Sequence, residues 1–201
     1  MSGCAPPSTR LAVRSKSSSN ATPSRRSSSV APLSWQSASE DDMLIVQGNI
    51  SITYEELGQL ESALEMKRDV YLGFLRLYGK EDYDTLREAN NYADTLVRLK
   101  RFKEARSLFL KSIPVARRVL GDNSDVTLKM RWGYADSLYE NPAATHNDLR
   151  EAVTTLEDAM RIARRVLGGA HPTTAGIGRD LQYSRAALAA REGTPPGNAR
   201  P

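Results

Sequence analysis

Apolar residues recur at helical spacing along most of this chain, and nowhere do they alternate as a half-buried strand would require. Between 85 and 99, Leu86, Ala89, Tyr92, Ala93 and Leu96 fall three and four apart, which puts them on one helix face. Between 101 and 120, Phe102, Ala105, Leu108, Phe109, Ala116, Val119 and Leu120 do the same. The pattern predicts further helices over 43–57, 60–78, 127–139, 148–167 and 173–192. That makes seven helices, three pairs and a closing one, and an all-α fold with no sheet.

The pairs are copies of one unit. Ala116-Arg117-Arg118-Val119-Leu120-Gly121 returns unchanged 47 residues later as Ala163-Arg164-Arg165-Val166-Leu167-Gly168. Tyr92-Ala93-Asp94 returns after 42 residues as Tyr134-Ala135-Asp136, and Thr85-Leu86 as Thr127-Leu128. The five extra residues fall between Tyr139 and Leu149, in a Glu140–Asp148 stretch whose Asn141-Pro142 is a turn signal. Units therefore span about 43–79, 85–121 and 127–168, followed by the helix 173–192. Ala63, Ala105 and Ala152 hold one register position, where a larger side chain would keep neighbouring helices apart.

Local chemistry marks the helix ends. Thr85-x-x-Glu88 and Asp148-x-x-Glu151 have capping-box spacing. Gly121 and Gly168 supply the positive φ that ends a helix cheaply, and His171-Pro172 suits a helix start. Pro114 lies inside the second helix of its unit and predicts a kink near 110–114.

Three segments together carry a resemblance: Asn90-Asn91-Tyr92-Ala93, Arg101-Phe102-Lys103-Glu104-Ala105 and Leu120-Gly121-Asp122. The region of about 43–192 is similar to the 42-residue tetratricopeptide repeat of the kinesin light chain type. The His-Pro of that pattern stands only at His171-Pro172, and the asparagine pair only in the second unit. No long heptad region of the kind that joins kinesin light chains to the motor precedes the repeats. The resemblance implies a right-handed superhelical stack, a helix-turn-helix solenoid with an extended peptide in its concave groove.

In such a stack the first helix of each pair lines the concave face. Aligned on Tyr92 and Tyr134, the inward positions are Asn90 and Asp94 on one helix and Trp132 and Asp136 on the next, with Arg87 and Lys129 one turn earlier. An asparagine carboxamide both donates to and accepts from a peptide backbone. Trp132 has two readings, a groove anchor or an aromatic packed between helices.

Charge changes the picture little. The net +4 arises in residues 1–39, which carry Arg10, Arg14, Lys16, Arg25 and Arg26 and no acid, so the remainder sits at −1. Those residues include 13 serines and four prolines and read as a disordered tail, as do 193–201; a transit peptide is the alternative for the first. Arg25-Arg26-Ser27-Ser28 has the pattern of a basophilic kinase site, with Ser28 the candidate phosphosite.

Catalytic constellations are missing. The sequence has no phosphate-binding glycine loop, no H-E-x-x-H and no G-x-S-x-G. Cys4 is the single cysteine, and His146 and His171 read as a loop and a capping residue, so neither catalysis nor a metal or cofactor is expected. Glu55-Glu56 and Asp41-Asp42 read as solvated helix faces. Arg117-Arg118 and Arg164-Arg165 sit at helix C-termini, where cations meet the negative end of the macrodipole, which argues against nucleic acid. No stretch of 18 apolar residues exists to cross a membrane.

The sequence thus reads as a non-enzymatic cytoplasmic adaptor binding a protein or peptide segment, or an organellar one if 1–39 is a transit peptide. The alternatives are a structural, self-associating stub and a fragment of a longer repeat array. Met43–Val46 is apolar with no partner upstream, which fits either.

Overall fold

The computed structural model describes residues 39–193. The tail readings, Cys4 and the Ser28 site lie outside them. Among the described residues there are seven helices and no strand: α1 (Glu40–Glu56), α2 (Leu60–Tyr78), α3 (Tyr83–Arg98), α4 (Phe102–Leu120), α5 (Asp125–Tyr139), α6 (His146–Val166) and α7 (Pro172–Glu192). Each packs against the next, and first helices also pack side by side, α3 on α5 and α5 on α7.

One core runs between the layers. Leu86, Leu96, Phe109, Leu128, Met130, Leu138, Leu156 and Ile177 are buried in it, and Leu44, Val70 and Phe74 form a smaller cluster at the N-terminal end. Full burial of such a side chain stabilises the fold by about 1.5–3 kcal/mol. Ala63, Ala105 and Ala152 are all 0 % exposed, as the repeat register requires.

Two caps differ from the sequence expectation. α3 is capped by Asp82, whose carboxylate accepts the Thr85 N–H at 2.9 Å; Thr85 is itself inside the first turn. α6 starts at His146 rather than Asp148. Its cap is Thr145, and Asp148 is the third residue of a complete capping box, accepting from the Thr145 N–H and O–H. In both cases an earlier oxygen satisfies the orphan donors, and the helix gains residues at its start. His146 is therefore helical, whereas His171 caps α7 as expected, its Nδ1 accepting the Thr173 N–H.

Gly121 and Gly168 have φ of 81° and 87°. At Gly121 ψ is 165°, so the chain leaves α4 in an extended direction open almost only to glycine rather than in a left-handed helical turn. α4 continues unbroken through Pro114.

The insertion also finds a cause. α1 and α3 each end in a Schellman turn, with Gly58 at φ 73° and Lys100 at φ 60° in equivalent places. The Gln59 N–H donates to the Tyr54 carbonyl, and the Arg101 N–H to that of Leu96. The next equivalent, 42 residues on, is Pro142, whose ring forbids positive φ. The chain turns there through Asn141 instead, whose side chain accepts the Ala143 N–H, and needs the longer link to reach α6.

Candidate functional site

The repeat register places three columns of side chains on the inner face. Ile45, Arg87 and Lys129 form one; Gly48, Asn90 and Trp132 the second; Ile52, Asp94 and Asp136 the third. All nine line one groove of about 650 Å³, so the six candidates read from the sequence come together in a single concavity. The groove opens where α1 stands away from α3: no Cα of one lies within 8 Å of the other, although α3 and α5 are direct neighbours.

The six are not equally available. Arg87 is held by Asp84 at 2.6 Å and Glu88 at 3.0 Å, and Lys129 by Asp125 at 2.7 Å. Trp132 donates its indole N–H to Asp180 on α7 at 2.7 Å, and its ring lies against Gly176. Its interface reading is thus the one the geometry favours. Asn90, half-buried, makes no hydrogen bond through its carboxamide within the described chain. Its neighbour Asn91 donates to Glu88 at 3.2 Å.

The carboxylates follow their surroundings. Asp94 is open to solvent but walled by the groove. Burial, with like charge from Glu55, pushes its carboxyl up against the pull of Lys67 and Arg98. Asp136 is pushed up to about 9, first by burial and then by Asp180, Glu140 and Asp94. Its Oδ1 is buried and without a hydrogen-bond partner. Glu140 is raised by the same two causes, burial and Asp180 foremost.

Sequence reasoning missed the α1 wall and the support below the floor. Ile45, Gly48 and Ile52 were legible by subtracting one 42-residue repeat from Arg87, Asn90 and Asp94. The support was not: Lys67 Nζ lies 2.6 Å from Glu55 Oε2 and 3.1 Å from Thr95 Oγ1, while Arg98 reaches Glu55 Oε1 at 2.8 Å. These residues tie α1, α2 and α3 together. Among the described residues no cluster of His, Cys, Asp and Glu could hold a metal ion, and no helix is long and apolar enough to cross a membrane.

Comparison with known proteins agrees with this geometry. The tetratricopeptide repeat family matches residues 85–125 and 144–173. No curated protein sequence matches the chain. Among solved structures, BtubC (BKLC) from P. vanneervenii is similar at a TM-score of 0.58 and 16% identity, over 84% of this chain and 72% of that one. Kinesin light chain nearly identical TPR-like repeats from Podosopora anserina reach a TM-score of 0.62 in a point-substituted form, at 20% identity over 77% of this chain and 71% of that one. A second structure of the same repeats gives 0.60 at 20% identity, over 77% and 72%. At these identities the likeness is one of fold. Two stretches of the chain thus match the tetratricopeptide repeat, and its helix pairs stack in the fold seen in kinesin light chain-type repeats.

Proposed function

We propose that this chain is a non-catalytic adaptor that holds an extended protein segment in its concave groove. The observation that carries the reading is Asn90, a half-buried carboxamide that lines a concavity and has no hydrogen-bond partner among the described residues. A peptide backbone can both donate to it and accept from it, which holds a ligand without demanding one sequence. The α1 wall, with Ile45 and Ile52 exposed, suits a ligand that also carries apolar side chains. Arg87 and Lys129 contribute less, because their charges are already answered by Asp84, Glu88 and Asp125.

Ligands are obtained by selecting a random display library of peptides on the immobilised full chain. Selected peptides are expected to bind the Asn90→Ala variant about 5- to 30-fold more weakly, the loss of one or two hydrogen bonds worth about 1–2 kcal/mol. Peptides indifferent to Asn90 would place binding elsewhere, the Glu140–Thr145 link being the next surface to test.

A further inference from the structure

The outer side of α1 carries an apolar stripe that no other described helix covers. Met43, Val46, Ile50 and Leu57 are 55 %, 55 %, 42 % and 66 % exposed, with exposed Thr53 between the last two. Positions 43, 46, 50, 53 and 57 alternate steps of three and four, the spacing of a helix–helix seam. Exposed Leu72 of α2 extends the patch beside Met43.

The later repeats show what such a face accepts. One unit on, the register equivalents of Met43, Val46, Ile50 and Thr53 are Thr85, Glu88, Tyr92 and Thr95. Thr85, Glu88 and Thr95 are buried, and Tyr92 stacks on Tyr71 of α2. Another unit on, Thr127, Met130, Tyr134 and Ser137 are all buried. The α1 stripe therefore continues an interface that a helix closes at every later step.

We infer that the stripe is closed by a second copy of this chain, with two α1 helices packed antiparallel about a two-fold axis through Ile50. α7, the last described helix, does not provide the complement: it exposes Ala175, Arg179, Gln182, Tyr183 and Ala186, a mostly small and polar surface. Head-to-tail stacking is therefore not matched, while pairing of like with like is. An antiparallel arrangement opposes the helix dipoles and sets Met43 against Leu57, with Ile50 against its own copy. Most carboxylates of α1 are already engaged: Glu40 with Arg76, Asp42 accepting from the Ser39 N–H and O–H, and Glu55 with Lys67 and Arg98. Flanking the middle of the seam are the uncharged Gln47, Asn49 and Tyr54, with the carboxylates Asp42 and Glu56 beside its two ends.

Light scattering on the eluting full chain, from low to high micromolar loading, tests this. The expected mass is twice 22.2 kDa. The Val46→Glu/Ile50→Glu variant is expected to elute at the monomer mass with unchanged helical circular dichroism. A Cys4→Ser/Ile50→Cys chain is expected to form one disulfide-linked dimer on mild oxidation. A wild-type monomer at every loading overturns the inference, as does a dimer that survives the double substitution. So does a ladder of growing oligomers, the mark of an unclosed head-to-tail contact. If the double variant fails to fold, the Ile50→Cys cross-link decides alone, and its absence in a dimeric sample counts against the α1 seam.

Discussion

The ammonium of Lys67 on α2 lies 2.6 Å from the carboxylate of Glu55 on α1, and both are largely shielded from water. This pair, with Thr95 and Arg98 of α3, fixes α1 to the array at the place where its backbone stands clear of α3. Toward α3 the links to α1 are polar, through Glu55, whereas toward α2 an apolar cluster of Leu44, Val70 and Phe74 also holds it.

Replacing Lys67 with methionine leaves Glu55 with Arg98 and Thr95 alone. Breaking a buried pair from one side costs about 3–5 kcal/mol, and the remaining arginine softens that to about 2–3 kcal/mol. Urea unfolding of Lys67→Met checks the figure. The double variant Glu55→Gln/Lys67→Met is expected to lose less than the two single losses combined, since neither group is then left charged and unpaired.

Trp132 is expected to behave as a structural residue. Trp132→Ala removes the bond to Asp180 and the packing on Gly176, and is expected to cost about 2–4 kcal/mol of stability. The same contact is probed from the other side by Gly176→Ala, whose Cβ would collide with the indole Cη2. A loss of about 1–3 kcal/mol is expected there. A melting temperature unmoved by both substitutions would return Trp132 to the groove as an anchor.

Lys100 is the one non-glycine residue with positive φ among those described. Glycine stands at its equivalent, Gly58. Lys100→Gly relieves a strain of about 1–2 kcal/mol and gives back part of it through the freer unfolded chain. The net expectation is a gain of about 0.5–1 kcal/mol, read as a higher denaturation midpoint.

The pH dependence has two sides. The Glu55 carboxyl is held below its ordinary value: burial pushes it up, but Lys67, Thr95 and Arg98 together outweigh that. Its contribution is present above its ordinary range and is lost as acid protonates it. Asp136 has the opposite sign. Raised from 3.8 to about 9 in the fold, it favours the folded state while protonated and withdraws that support as pH rises between those values. Asp136→Asn is therefore expected to raise the melting temperature at about pH 8 and to change it little at about pH 4. An equal gain at both pH values would mean that ionisation of Asp136 is not the cause.

Much of this was legible in the sequence because repetition over-determines register. Helical spacing marked the seven helices, and the offsets of 42 and 47 marked the buried alanine column and six residues that line one concavity. Helix ends were less legible. Thr85 and Asp148 have the right spacing for caps, but Asp82 and Thr145 offer an oxygen one turn earlier, and spacing alone does not rank two such donor partners. Availability was not legible at all. Whether Trp132 is free depends on Asp180, 48 residues away and on another helix, and whether Asn90 is free depends on what does not reach it.

Whether ligand lies against the inner face of α3 is tested most directly by a photoreactive side chain. A benzophenone is placed at position 94, an exposed groove position of α3, and in a separate chain at position 110, where Leu110 is exposed on α4. With a library-selected peptide bound and the sample irradiated, covalent capture is expected from 94 and none from 110. Capture from 110 alone, or from neither while the peptide remains bound, would contradict binding in the groove.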